Sequence, residues 1–154
     1  MTLKPDRVQL HHSLDYFCNQ TATAGGIVSV STLGSGAGID QSVMVCHYAG
    51  TASGAKPLGV LLNDVVNIDL TRQKLNPYKD EVQLGNKVTL LMKGEVVTDV
   101  LTSGITVANG DHAYLGADGR ITNVNTGAVA SPRIGSFLTK KDEDGFARVA
   151  VNLP

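Results

Sequence analysis

The stretch His112-Ala-Tyr-Leu-Gly-Ala-Asp-Gly-Arg-Ile-Thr-Asn-Val124 decides the fold class. A short strand-like run is followed by Gly116-Ala-Asp-Gly119, a tetrapeptide rich in turn formers, and then by a second strand-like run. That pattern predicts a β-hairpin, because glycine and aspartate accept the backbone angles of a tight turn that branched residues refuse. Downstream, Ile134-Gly-Ser-Phe-Leu and Phe146-Ala-Arg-Val-Ala-Val repeat the arrangement around residues 139–145, whose acidic residues and final glycine suit an exposed turn. The chain is therefore expected to close as a β-meander.

Working upstream, the 17 glycines punctuate short β-branched runs, and helical periodicity is scarce. Ile27-Val-Ser-Val alternates in part, Val43-Met-Val-Cys-His-Tyr reads as a strand, and Pro57-Leu-Gly-Val-Leu-Leu reads as a buried one. Lys87-Val-Thr-Leu-Leu-Met-Lys leads through Gly94 into Glu95-Val-Val, with the glycine predicted to mark a turn or a bulge. Asp69-Leu-Thr-Arg-Gln-Lys-Leu predicts a turn or two of helix, capped by Asp69 and stopped at Asn76-Pro77. Residues 1–26 lack clear periodicity over most of their length and are expected to form an N-terminal arm, extended or briefly helical. Residues 27–154 are expected to form the β-rich body.

Composition narrows the function classes. The 154 residues suffice for one compact core, and with 5% aromatics and no tryptophan that core must be built from Val, Leu, Ile and Ala. Thirteen basic against fourteen acidic side chains leave no positive excess to neutralise a phosphate backbone, so nucleic acid is not an expected partner. Met1-Thr-Leu-Lys-Pro-Asp lacks a basic region followed by an apolar one, so no secretory leader is expected. The uncharged run at residues 16–39 is filled with Thr, Ser, Asn, Gln and Gly, and a membrane span is not expected there. Cys18 and Cys46 are far apart in sequence and fit no metal-ligand spacing; reduced thiols are expected, with a disulfide left open. Across residues 16–55 only Asp40 is charged. That drought fits either a loop-rich sheet edge or a flat face that packs on another subunit, where charged groups would be costly to desolvate.

No catalytic constellation emerges. Gly34-Ser-Gly-Ala-Gly38 resembles a phosphate-cradling loop, but a strand-like run follows it where a helix is required, and no Gly-Lys-Ser/Thr is present. His12, Ser13 and Asp15 are triad residue types crowded into one segment, which is not triad geometry. Cys46 and His47 are neighbours on a predicted strand and so face opposite sides. Asp142-Glu-Asp-Gly145 matches part of a calcium loop, yet Lys140 occupies the first ligand position and Val151 the twelfth. The four histidines have no paired spacing for zinc, and turn formation and capping account for Asp64 and Asp69. No metal, cofactor or enzymatic activity is expected.

Four segments taken in order carry a resemblance. They are Lys56-Pro-Leu-Gly-Val-Leu-Leu-Asn-Asp-Val, Gly110-Asp-His-Ala-Tyr-Leu-Gly-Ala-Asp-Gly-Arg-Ile-Thr, Ile134-Gly-Ser-Phe-Leu and Asp144-Gly-Phe-Ala-Arg-Val-Ala-Val. Their succession resembles the capsid-decoration (head cement) proteins of tailed bacteriophages. The resemblance implies a mainly-β fold, a small β-barrel, β-tulip-like or sandwich body with an N-terminal arm. It also implies binding to the major capsid protein on the outer surface of the virion, self-association as a homotrimer, and no catalysis. Synthesis would be in the bacterial cytoplasm. From the low charge of the N-terminal half, Leu14, Tyr16, Phe17, Ile27, Val28 and Leu33 are the expected contact residues. A carbohydrate- or receptor-binding module of a tail or fibre is the alternative, resting on Tyr48, Tyr78 and Tyr114. A small hydrolase using Cys46 or Ser13 is a more distant third.

Overall fold

The structure is a computed structural model that describes residues 3–32, 44–65, 68–69, 74–75, 80–125 and 131–153. It is mainly β. The strands are β1 (Val8–Cys18), β2 (Ala22–Thr23), β3 (Ile27–Val30), β4 (Val45–His47), β5 (Pro57–Asp64), β6 (Ile68–Asp69) and β7 (Lys74–Leu75). They continue with β8 (Glu81–Val82), β9 (Lys87–Thr98), β10 (His112–Leu115), β11 (Ile121–Thr122), β12 (Arg133–Phe137) and β13 (Ala147–Asn152). A 3-10 turn, Ala117–Gly119, separates β10 from β11.

Two circuits of backbone pairing share β9. On one side β9 pairs with β1 and β5, β5 with β3, β3 with β4, and β4 with β1, which closes a ring of five strands. On the other, β9 pairs with β13, β13 with β12, β12 with β10 and β10 with β11. Leu101, just beyond β9, bridges Ile121 of β11 in parallel, with Thr102 N–H donating to the Ile121 carbonyl at 2.9 Å. Closure removes most of the free edges that an open sheet would expose.

Each ring has its own apolar filling, and the shared strands supply both. Leu61, Leu90 and Val28 join Cys18, Ala22, Cys46, Val82 and Val88 inside the first ring. Their chain neighbours Val60, Leu62, Leu91 and Ile27 face the second cluster, with Phe137, Leu115, Ile121, Ile134 and Val149. Successive side chains of a strand point to opposite faces, so a strand with interior on both sides must be apolar at consecutive positions. The buried strand expected at Pro57-Leu-Gly-Val-Leu-Leu is this case. Burial of each such side chain contributes about 1.5–3 kcal/mol as an upper estimate.

Both C-terminal hairpins form as expected: β10 meets β11 through the turn at residues 116–119, and β12 pairs with β13. Asp118 (φ 54°) and Gly119 carry the left-handed angles that the turn needs. Between β12 and β13, Asp142 accepts the Phe146 N–H on its carboxylate at 2.8 Å and Gly145 takes φ 89°, so these residues close a turn.

Three expectations are corrected. The helix expected from Asp69 is not seen at the described ends of its segment, where Ile68–Asp69 and Lys74–Leu75 pair antiparallel as strands; residues 70–73 lie outside the described residues. Gly94 is no turn, because β9 continues through it, but the bulge half of that expectation is met: the β1–β9 register shifts just beyond the Gln9–Gly94 pair. The N-terminal segment is extended but is not a separable arm. β1 pairs along β9 at seven positions from Val8 to Phe17, Leu3 is buried and bridges Thr98, and Ala22–Thr23 pair with β8. Arg148 adds surface ties to Asp6 and to Glu95 (3.0 Å), and the Lys4 ammonium lies 4.4 Å over the Phe146 ring.

One corner of the second ring is expected to respond to pH. Asp111 accepts the Ala108 N–H at 2.9 Å and the Asn123 amide at 3.0 Å, and these bonds hold its carboxyl below the usual carboxylate range. A group whose folded pKa is depressed stabilises the fold above its unfolded value and loses that contribution as pH falls through the folded one. Acid is therefore expected to loosen this corner below about pH 4, the ordinary carboxylate value. Amide exchange at Ala108, followed down the pH scale, should show the loss in the native chain and not in Asp111→Asn.

Candidate functional site

Strand β1 is the most exposed element of the molecule's sheet. Its first five residues are all exposed, although the strand is hydrogen-bonded to β9. Apolar side chains stand outside along this strand, whose register on β9 is irregular. Between Gln9 and His11 two steps of β1 oppose one step of β9, and between Ser13 and Tyr16 three steps oppose two. Leu10 falls in the first break and Leu14 in the second. A bulge re-aims its extra residue, and here Leu10 is 76% and Leu14 43% exposed, with Val8 at 45% beside them. At the far end of β1, Gly85 N–H donates to the Cys18 carbonyl at 2.7 Å, which sets the turn carrying exposed Leu84 against the strand.

The expected contact residues divide on this geometry. Leu14 is a surface residue. Tyr16 and Phe17 are half-buried, Tyr16 packing on the filling of the first ring. Ile27 and Val28 are corrections: both are fully buried, one in each core, and neither can meet a partner. Leu33 lies outside the described residues, as do the glycine-rich segment at 34–38 and Tyr78. The scarcity of charge across residues 16–55 is explained in large part by the interior, since Cys18, Ala24, Ile27, Val28, Ser29, Val45 and Cys46 are all buried. Sequence reasoning missed Val8 and Leu10. Their signal was the period-two spacing of Val8, Leu10 and Leu14, interleaved with Gln9, Ser13 and Asp15.

A groove of about 500 Å³ near the junction of the rings is lined by Gln20, Thr21, Tyr48, Glu81, Asp99, Asp118 and Arg120 among others. Its aromatic residue is not free to stack on a ligand. Tyr48 donates its hydroxyl hydrogen to the Thr23 carbonyl and accepts the Gly26 N–H at 3.1 Å. Its ring lies so close to Gly26 and Gly119 that a Cβ on Gly119 would come within 2.2 Å of it. Burial pushes the phenol above its ordinary range. Burial likewise raises the Asp99 carboxyl, and Arg120 spends one guanidinium N–H on the Leu101 carbonyl at 3.1 Å.

Of the other residues considered for chemistry, Cys46 is buried within the first ring, while His47 is half-buried on the opposite side of β4. Ser13 Oγ accepts the Asp15 N–H at 3.4 Å and Asp15 faces the Lys87 ammonium at 3.9 Å, which is surface bonding instead of a relay through His12. Among the described residues no group of three or more His, Cys, Asp or Glu is placed to hold a metal ion. No helix among them is long and apolar enough to cross a membrane. No protein-family model matches the sequence, and no curated protein matches it.

Proposed function

We propose that this protein is a structural decoration protein that attaches to the outside of a phage head through strand β1 and ties together neighbouring copies of the major capsid protein. The observation that carries the reading is the exposure of Leu10 and Leu14 on a strand that is hydrogen-bonded into the sheet, each at a break in the β1–β9 register. Leucines in water on an ordered strand gain free energy when another surface covers them, about 25 cal/mol per Å² removed from water. β1 is also well placed to bear load. It is bonded to β9, and β9 belongs to both rings, so a pull on the attachment strand is shared by both cores. A cement of this kind need not bind tightly at each contact, because several copies, expected as homotrimers, act together on one shell. On this reading the stretch from Gly110 to Val151, which holds three of the four segments that carry the resemblance, is the scaffold.

The test mixes the protein with shells of a candidate phage that lack their own decoration protein. Saturable binding at a fixed ratio and a raised rupture temperature are expected. Leu10→Asp and Leu14→Asp are each expected to weaken binding about tenfold or more while leaving the unfolding midpoint within roughly a degree, since exposed positions contribute little to the core. Unimpaired binding by both variants would move the attachment surface elsewhere. Binding to glycans and to no shell would replace the reading with a carbohydrate module.

A further inference from the structure

Cys18 and Cys46 are register partners on adjacent parallel strands, β1 and β4. Neighbouring strands run about 4.8 Å apart, inside the Cα separation of roughly 4.4–6.8 Å that a disulfide requires. Both side chains enter the same apolar cluster, so they point to the same side, and both are fully buried thiols. Cys18 Sγ donates to the Gln20 carbonyl at 3.2 Å. We infer that these two cysteines form a latent cross-link, oxidised to a disulfide when the end of β1 opens in the presence of a small-molecule disulfide.

The location gives the bond a consequence. β1 and β4 meet at two register positions, Phe17 with Val45 and Cys18 with Cys46, so the first ring is closed by one of its shortest seams. A covalent bond there staples the attachment strand to the body. In the closed ring the reaction is held back, because a hydrogen bond with Cys18, followed by burial, raises the Cys46 thiol far above its ordinary value. Opening exposes and ionises one thiol. Its thiolate attacks a sulfur of the oxidised reagent and expels one reagent thiolate. The second cysteine, once deprotonated, attacks the protein-side sulfur of that mixed disulfide and expels the other. The protein loses two protons and two electrons, and the reagent is reduced to two thiols. This inference concerns the ring alone and stands whether or not β1 attaches to a shell.

Oxidised glutathione at mildly alkaline pH is the probe, first in native buffer and then in urea below the unfolding midpoint to promote opening. The expected product is monomeric, lighter by two hydrogens, without bound glutathione and without titratable thiol after denaturation. It should form faster in the urea sample. The unfolded fraction of this product at a fixed urea concentration should fall about tenfold or more against the reduced protein. In Cys46→Ser the reaction should stop at a glutathione adduct on Cys18. Persistent adducts on the native sequence, cross-linked dimers, or two thiols that survive oxidation in urea would each overturn the inference, and all are read on the unmutated protein.

Discussion

A chain lacking residues 1–18 is expected to lose cooperative folding, where removal of a mere appendage would leave the body intact. The deletion takes away the partner that β9 meets at seven positions and opens the first ring. Val88 and Leu90, fully buried now, would face solvent, Tyr16 and Cys18 would leave the first cluster, and Leu3 would leave the second. At about 1.5–3 kcal/mol for each large apolar side chain uncovered, the loss approaches the 5–15 kcal/mol by which whole domains are stable. A bare β9 edge would add a site for strand pairing between molecules. Circular dichroism during a urea titration should show no sharp transition, and the product should aggregate. A transition matching the full chain would show that these residues are dispensable to the fold, and shell binding could then be tested on the truncated protein directly. If it unfolds, lost attachment by such a truncation says nothing about contacts, and point changes at Leu10 and Leu14 are the informative ones.

The C-terminal hairpins were legible because their determinants are local. Gly116-Ala-Asp-Gly119 and Asp142-Glu-Asp-Gly145 carry turn chemistry in the residues that make the turn, with Asp118 and Gly145 in the left-handed region. The N-terminal half was less legible because its determinants are distant. That Ile27 and Val28 would be buried on opposite faces depends on β5 lying beside β3 and on clusters assembled from residues as remote as Phe137 and Val88. The low charge of that region signalled desolvation correctly, and nothing local distinguished a core from an interface. Asp69 and Asn76-Pro77 read in the sequence as the cap and stop of a helix, yet the described residues 68–69 and 74–75 pair as strand. Parallel pairing of β1 with β4, which brings Cys18 to Cys46, has no short-range signature at all. For the candidate site, Leu14 was identified and Leu10 was not, although both fall on the period-two spacing of Val8, Leu10 and Leu14; the register breaks beside them depend on β9 and have no local signature.

Gly94→Ala is expected to be the most damaging single substitution in the shared strand. Gly94 lies opposite Gln9 of β1 on one side and Val151 of β13 on the other, so it cannot shift toward either without disturbing a ring. Its φ of +148° is one that alanine rarely adopts, and a Cβ built there would stand 2.0 Å from the Val8 carbonyl oxygen. Backbone strain alone costs about 1–2 kcal/mol. The clash adds the cost of displacing β1 beside its bulge, for a total of about 4 kcal/mol or more, a fall in Tm of roughly 8–16 °C for a chain of this size. Gly104→Ala separates the two contributions. Gly104 also has positive φ (+76°), but its missing Cβ points into open space, so the same substitution should cost only about 1–2 kcal/mol there. Amide exchange then locates the damage. If β1 yields by lifting its first residues off β9, Val8 and Gln9 exchange fast while the second ring stays protected, and part of the global loss is spared. If the two alanine variants are equally stable, the Val8 carbonyl does not press on Gly94, and β1 does not cross β9 at that point. The register that places Leu10 in a bulge would fall with it, and so would the attachment surface.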